Sequence, residues 1–207
     1  MEKRLFFQSG DLKLEGYLQL QSGGRGVVIT HPHPLYGGDM ENTVVELMTA
    51  VFRKKGFSTL RFNFRGVGAS DGTYSNGPGE VRDVCSAAEF LRKNGADEIH
   101  LAGYSFGAWV NASVDCDTLS LASMAMVSPP VAFMDFGPAK PIDKLSLVVT
   151  GSADDLAPPA MLEKLVPAWN RAAAFEIVEG ADHFYSERFR TLAEVLSFFI
   201  KTKDAST

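Results

Sequence analysis

An α/β architecture is predicted, with about eight strands in a mostly parallel twisted sheet, an antiparallel hairpin at its N-terminal edge and helices on both faces. Three features of the 207-residue chain point to it. Leucines alternate at positions 12, 14, 18 and 20, as in an antiparallel strand with one solvated face. From Val27 onward the strand-like segments become continuous apolar runs, as expected of strands covered on both faces. Segments with apolar residues at helical spacing separate those runs, and strands that alternate with helices build a parallel sheet through right-handed crossovers.

Taken in order, Arg4 to Gln8 is a short strand, and Ser9-Gly10-Asp11 turns it into the leucine strand. The linker from Gln21 to Gly26 leads into the buried strand Val27–Thr30. Asn42 has the short polar side chain of a helix cap, and the helix behind it carries Val44, Val45, Leu47, Met48, Val51 and Phe52 before stopping at Gly56. Phe57 to Arg65 is a strand with Leu60, Phe62 and Phe64 facing one way. A turn-rich loop, Gly66 to Gly72, precedes a helix from about Gly79 to Asn94, on which Val81, Val84, Cys85, Ala88 and Leu91 recur at helical spacing. A short apolar run from Ile99 then rises to Gly103-Tyr104-Ser105-Phe106-Gly107 and passes into an Ala/Val/Trp segment that forms a buried helix. Leu119 to Ser128 is a strand, and Pro129 to Asp143 a Pro/Gly-rich connection without periodicity. Leu145–Thr150 and Ala174–Val178 are strands on either side of a helix from Pro159 to Asn170. An amphipathic helix from Ser186 to Lys201 follows, built on Phe189, Leu192, Val195, Leu196 and Phe199. With no internal repeat, residues 1–207 are expected to form one domain.

Composition narrows the function. At 45% hydrophobic and 22% charged the chain is an ordinary globular sequence able to bury one sizeable core. A net charge of -5, a pI near 5.4 and no Lys/Arg cluster argue against nucleic acid or an anionic membrane as a partner. No segment approaches the length of a membrane span, and the apolar run at the N-terminus is too short for a signal peptide. Cys85 and Cys116 fall in helical patterns without metal spacing, as reduced residues in or near the core of a cytoplasmic protein.

The chemistry centres on Gly103-x-Ser105-x-Gly107. Three such fixed positions occur by chance in roughly one of fifteen chains of this length, so the setting matters: a strand pattern runs in and a helix pattern runs out. In a nucleophile elbow of this kind the serine sits on a strained turn that lifts Oγ clear of the sheet, and the flanking glycines avoid the neighbouring strand and helix. A serine hydroxyl at its free pKa is a poor nucleophile and needs a base, itself oriented by an acid. Of the four histidines only His183 follows Ser105, in a loop beyond the last strand. The turn after the preceding strand offers adjacent carboxylates; Asp154 is the expected acid and Asp155 the second candidate, which spacing does not separate.

An oxyanion hole needs two backbone N–H groups. Phe106, next after the nucleophile, supplies one. The other falls in His31-Pro32-His33-Pro34-Leu35-Tyr36, where the prolines have no N–H; His33, Leu35 and Tyr36 are the candidates and His33 the expected donor. Leu35, Tyr36, Tyr104, Phe133 and Met134 are the candidate substrate contacts. Val131, Phe133, Met134 and Phe136 form an apolar flap or core packing, both readings being open. A rival reading makes His31 and His33 metal ligands, but two histidines fall short of the three protein ligands of a catalytic zinc site, and no metal is expected. No cofactor is expected either, since the glycines of 64–72 lack dinucleotide spacing.

These residues make the chain similar to serine hydrolases of the α/β-hydrolase superfamily, over almost its whole length. His31-Pro32-His33-Pro34-x-x-Gly37-Gly38, Phe64-Arg65-Gly66-Val67-Gly68-x-Ser70, the elbow, Gly151-x-x-Asp154 and Asp182-His183 come in that family's order. The resemblance is strongest to small, lidless bacterial members related to dienelactone hydrolases and esterases. It implies the α/β-hydrolase fold without a lid domain, Asp154 as the acid and Arg65–Ser70 as the pocket rim. It also implies a small-molecule acyl substrate, an ester or thioester. Dienelactone hydrolases use a cysteine nucleophile where this chain has Ser105. The contrasting expectation is a non-catalytic member kept as a binding module.

Overall fold

Apolar runs buried on both faces and helices with one apolar stripe can satisfy each other only by layering. The computed structural model, which describes residues 1–115, 117–137 and 140–204, layers them in that way. Cys116 lies outside the described residues. Eight strands, β1 (Lys3–Ser9), β2 (Leu12–Gln19), β3 (Arg25–Thr30), β4 (Ser58–Phe62), β5 (Glu98–Tyr104), β6 (Leu121–Val127), β7 (Leu145–Gly151) and β8 (Ala174–Val178), form one sheet in the order β1-β2-β4-β3-β5-β6-β7-β8. β2 pairs antiparallel with both β1 and β4, and from β4 to β8 all pairings are parallel.

The period-two alternation of strand side chains divides the core into two layers. Val28, Leu101, Met124, Met126 and Val148 face α2 (Pro78–Lys93), α3 (Phe106–Ala112) and α4 (Pro159–Trp169). Val27, Ile29, Ala102, Ala125, Val127, Leu147 and Val149 face α1 (Thr43–Lys54) and α5 (Phe189–Asp204). As expected, Asn42 caps α1, its Oδ1 accepting the Val44 N–H at 2.9 Å.

Element boundaries differ from the sequence expectation where a local turn captures the backbone. The last helix starts at Phe189 and not Ser186, because the Asp182 carboxylate takes the Phe184 and Ser186 N–H groups into a turn. β6 starts at Leu121 because Leu119 and Ser120 turn back on Asp115 and Asp117. β2 does not have one solvated face: Glu15 and Gly16 are both buried, and Leu20 lies beyond the strand and is exposed. The cause is the loop after β4, which folds over the hairpin so that Glu15 receives Arg4, the Asn63 amide and the Ala69 N–H.

Candidate active site

Ser105 stands between β5 and α3 with φ 53° and ψ -118°, a strained conformation for a residue with a side chain. Its N–H donates to the Val127 carbonyl at 2.9 Å, which fixes the elbow to β6. Both flanking glycines are required by close approach. A Cβ at Gly103 would lie 2.6 Å from the Ala108 nitrogen of α3, and one at Gly107 would lie 2.5 Å from the Thr30 carbonyl oxygen of β3.

The turn after β7 and the loop after β8 converge on this serine. His183 Nε2 lies 2.9 Å from Ser105 Oγ, and His183 Nδ1 lies 2.9 and 3.0 Å from the two oxygens of Asp154. With Nδ1–H directed at the carboxylate, Nε2 is left as the acceptor for the serine O–H. Asp154 is 2% exposed and also accepts the Leu156 and Ala157 N–H groups. Burial pushes its carboxyl up, but the His183 ring, the Ser128 hydroxyl and the Ala157 N–H together hold it below the ordinary carboxylate range. Asp155 is exposed, so the structure separates the two carboxylates that spacing leaves open. Gly151 lets the acid turn and base loop touch, since a Cβ there would lie 2.2 Å from the Ala181 carbonyl oxygen.

Buried hydroxyls surround this row; sequence reading named Tyr104 only as a substrate contact and did not single out Ser128 or Tyr185. Tyr104 donates to the His183 carbonyl at 2.9 Å, and the Ser128 and Tyr185 hydroxyls lie 2.8 Å apart. The available signal was position: Tyr104 closes β5 and Ser128 directly follows β6 at the sheet's C-terminal edge, where such folds gather their chemistry.

The loop after β3 approaches Ser105 from the other side. Leu35 N–H donates to His33 Nδ1 and Tyr36 N–H to the His33 carbonyl, so both are occupied. Among the described residues the N–H groups of His33 and Phe106 have no protein acceptor, which leaves these two of the four candidate donors. His31 is buried and holds the loop: its Nδ1–H donates to the Pro32 carbonyl at 2.7 Å, and its Nε2 accepts the Phe64 N–H at 3.0 Å. Burial lowers its pKa to about 4, so it stays neutral. Both ring nitrogens of His31 are therefore engaged in holding the loop.

A groove of about 400 Å³ opens above Ser105, walled by Tyr36, Phe133, Met134, Leu156 and Phe184. Tyr36, Phe133 and Met134 thus lie where the sequence reading put them. Tyr104 borders the groove, but its hydroxyl is spent on the base loop. Leu35 does not line it: its side chain is 68% exposed at the next cavity, because the turn Pro34–Tyr36 points it outward. The connection from Pro129 divides between the two readings open for it. Phe133 walls the groove, Met134 both walls the groove and packs on the core, and Val131 and Phe136 pack on the core alone, Phe136 against Trp169. The rim role implied for Arg65–Ser70 is not found. Arg65 pairs with buried Asp83, Ser70 binds the Asn63 carbonyl and the Glu15 N–H, and the glycines between face the neighbouring cavity.

Comparison with known proteins agrees with this architecture. The sequence pattern of the alpha/beta hydrolase family matches residues 27–196. An alpha-beta serine hydrolase homologue from Coxiella burnetii is 34% identical, superposes with a TM-score of 0.87, and the match covers 95% of this chain and 96% of that one. XC6422 from Xanthomonas campestris, described as an a/b serine hydrolase without lid, is 26% identical with a TM-score of 0.86, covering 97% of this chain and 94% of that one. Protein RP471 of Rickettsia prowazekii is 29% identical over 211 residues, 96% of this chain and 89% of that one. The chain belongs to the alpha/beta hydrolase family and has the fold of its small lidless members, which supports hydrolase activity.

Proposed function

We propose that this member of the alpha/beta hydrolase family is a serine esterase that cleaves small acyl esters or thioesters through an acyl-enzyme on Ser105. The observation that carries the proposal is the 2.9 Å contact between His183 Nε2 and the Oγ of a serine on a strained elbow, with Asp154 behind the imidazole.

In the first half-reaction Ser105 Oγ attacks the acyl carbon while its proton passes to His183 Nε2, and the carbonyl electron pair moves onto oxygen. The N–H groups of Phe106 and His33 receive that oxyanion. Asp154 keeps the imidazole in the required tautomer and stabilises the imidazolium. Collapse of the intermediate breaks the bond to the alkoxide or thiolate, which leaves with the proton from Nε2. Water then attacks the acyl-enzyme, giving its proton to His183, and the acid departs as Ser105 regains its hydrogen. The groove's apolar walls and its volume of about 400 Å³ suit a short acyl group.

A fluorophosphonate probe should label the protein stoichiometrically, and Ser105→Ala should abolish the label. A screen of short nitrophenyl esters and thioesters should then give turnover that the same substitution removes. Persistent labelling of Ser105→Ala, or the absence of both labelling and turnover in the unaltered protein, would overturn the proposal.

A further inference from the structure

Tyr74 plays no part in the steps above, yet its ring packs against both residues whose N–H groups receive the oxyanion. Its centroid lies 5.2 Å from that of His33 and 5.8 Å from that of Phe106, and the His33 and Phe106 rings lie 4.8 Å apart. Tyr74 borders the neighbouring cavity and not the groove above Ser105. The loop that carries it is anchored by a buried carboxylate. Glu80, fully buried in the first turn of α2, accepts the Ser75 N–H, the Ser75 hydroxyl and the Gly77 N–H at 2.8, 2.9 and 2.8 Å. The Ser75 oxygen in turn accepts the Gly79 N–H at 2.7 Å. Gly77 passes so near α3 that a Cβ there would lie 2.7 Å from the Trp109 ring.

Hydrogen-bond directions around His33 follow from its neighbours. A backbone N–H can only donate, so the 3.2 Å bond from the Leu35 nitrogen makes His33 Nδ1 an acceptor and puts the proton of the neutral imidazole on Nε2. The Tyr74 O–H donates to Asn76 Oδ1 at 3.0 Å. Its oxygen lies 3.3 Å from His33 Nε2, with a lone pair left to accept the ring proton. The imidazole is thus held at both nitrogens, by Leu35 on its own turn and by Tyr74 on the loop before α2. The His33 carbonyl accepts the Tyr36 and Gly38 N–H groups at 3.1 and 3.0 Å. Ring and carbonyl share one Cα with the His33 N–H, so fixing both sets the direction in which that N–H points.

We propose that Tyr74 is a positioning residue of the oxyanion hole: its hydroxyl receives His33 Nε2–H and its ring packs against His33 and Phe106, so both backbone donors keep their aim. The proposal rests on the serine-esterase reading of Ser105, with His33 and Phe106 as the donors. Donors fixed in advance act on the charge that develops in the transition state and little on the bound ester. A role confined to packing would need only the Tyr74 ring.

Tyr74→Phe keeps that ring and removes the hydroxyl. The test compares the unaltered protein with Tyr74→Phe, His33→Asn and the double variant, each checked for its fold by urea unfolding and for its reactive serine by fluorophosphonate labelling. Two probes are used, a short nitrophenyl ester and an alkyl trifluoromethyl ketone. Ser105 Oγ adds to the ketone's carbonyl carbon while the serine proton passes to His183, and the resulting oxyanion faces the same N–H groups. Tyr74→Phe should lose roughly three- to tenfold in kcat with KM little changed, and its inhibition constant for the ketone should rise by the same factor. In His33→Asn the amide oxygen still accepts the Leu35 N–H, but the shorter side chain does not reach Tyr74. Adding Tyr74→Phe to it should therefore cost nothing further. Unchanged kcat in Tyr74→Phe, a lower kcat with unchanged ketone affinity, or a full second loss in the double variant would overturn the proposal. Failure of the unaltered protein to label or turn over would instead remove the esterase reading, and with it the role given to Tyr74.

Discussion

The Tyr104 hydroxyl donates at 2.9 Å to the backbone carbonyl of His183, 79 residues further along the chain. The last residue of the strand that leads to Ser105 thereby holds the loop that carries His183. Tyr104 is fully buried with its ring 5.6 Å from the imidazole, and burial together with the Asp154 charge pushes its phenol well up, so the donor is never lost. Tyr104→Phe keeps the ring and removes the tie. It should lower stability by about 1 kcal/mol in urea unfolding and lower kcat several-fold with KM little changed. Full activity with full stability would show that packing alone fixes the loop.

The two adjacent carboxylates should separate sharply in kinetics. Asp154→Asn leaves the imidazole without its anionic partner and should reduce kcat by roughly 10³- to 10⁴-fold. Asp155→Asn alters an exposed side chain and should leave kcat within about twofold. The reverse ranking would reassign the acid.

Strain at the elbow predicts a stability difference between two inactive variants. Ser105→Ala and Ser105→Gly both remove the hydroxyl, but only glycine suits φ 53° without strain. Ser105→Gly should therefore be the more stable of the pair by about 1 kcal/mol in chemical unfolding.

His31 links folding to pH. Its pKa is about 4 in the folded chain against an ordinary 6.5, burial being the main cause. Between these values the unfolded chain binds a proton that the folded one refuses, so stability falls as pH drops from 6.5 towards 4. The loss should approach about 1.4 kcal/mol per pH unit within that window and cease to grow below it. Asp154 acts at lower pH with the same sign, its stabilisation being lost below the ordinary carboxylate value. Unfolding of His31→Gln across this range should show a shallower slope than the unaltered protein.

Groove shape predicts acyl preference. Among nitrophenyl esters, rates should peak at short acyl chains, and Phe133→Ala, which opens one apolar wall, should move the optimum to longer ones. A peak at long chains in the unaltered protein would contradict the short-acyl reading.

The sheet was legible because its signals are local: leucine alternation, apolar runs and the Asn42 cap each report their own neighbourhood. Ser105 and His183 were legible by elimination, one elbow pattern followed by one downstream histidine. What escaped depends on contacts distant in the chain. The choice of Asp154 over Asp155 turns on which carboxylate is buried beneath His183. The outward Leu35 follows from a tight turn, and the displaced Arg65–Ser70 loop from its hold on Glu15 and Asp83. The tie from Tyr104 to the His183 carbonyl and the buried contact between Ser128 and Tyr185 leave no local signal, and only the folded chain brings these groups together.

On the proposed mechanism the hydroxyl at position 105 becomes covalently acylated during turnover. Acid quenching during hydrolysis of a short nitrophenyl ester, followed by intact-mass measurement and peptide mapping, tests it directly. One acyl group on the peptide containing Ser105, absent in Ser105→Ala, is the predicted result. Turnover with no adduct at any time point, or an adduct on another residue, would contradict it.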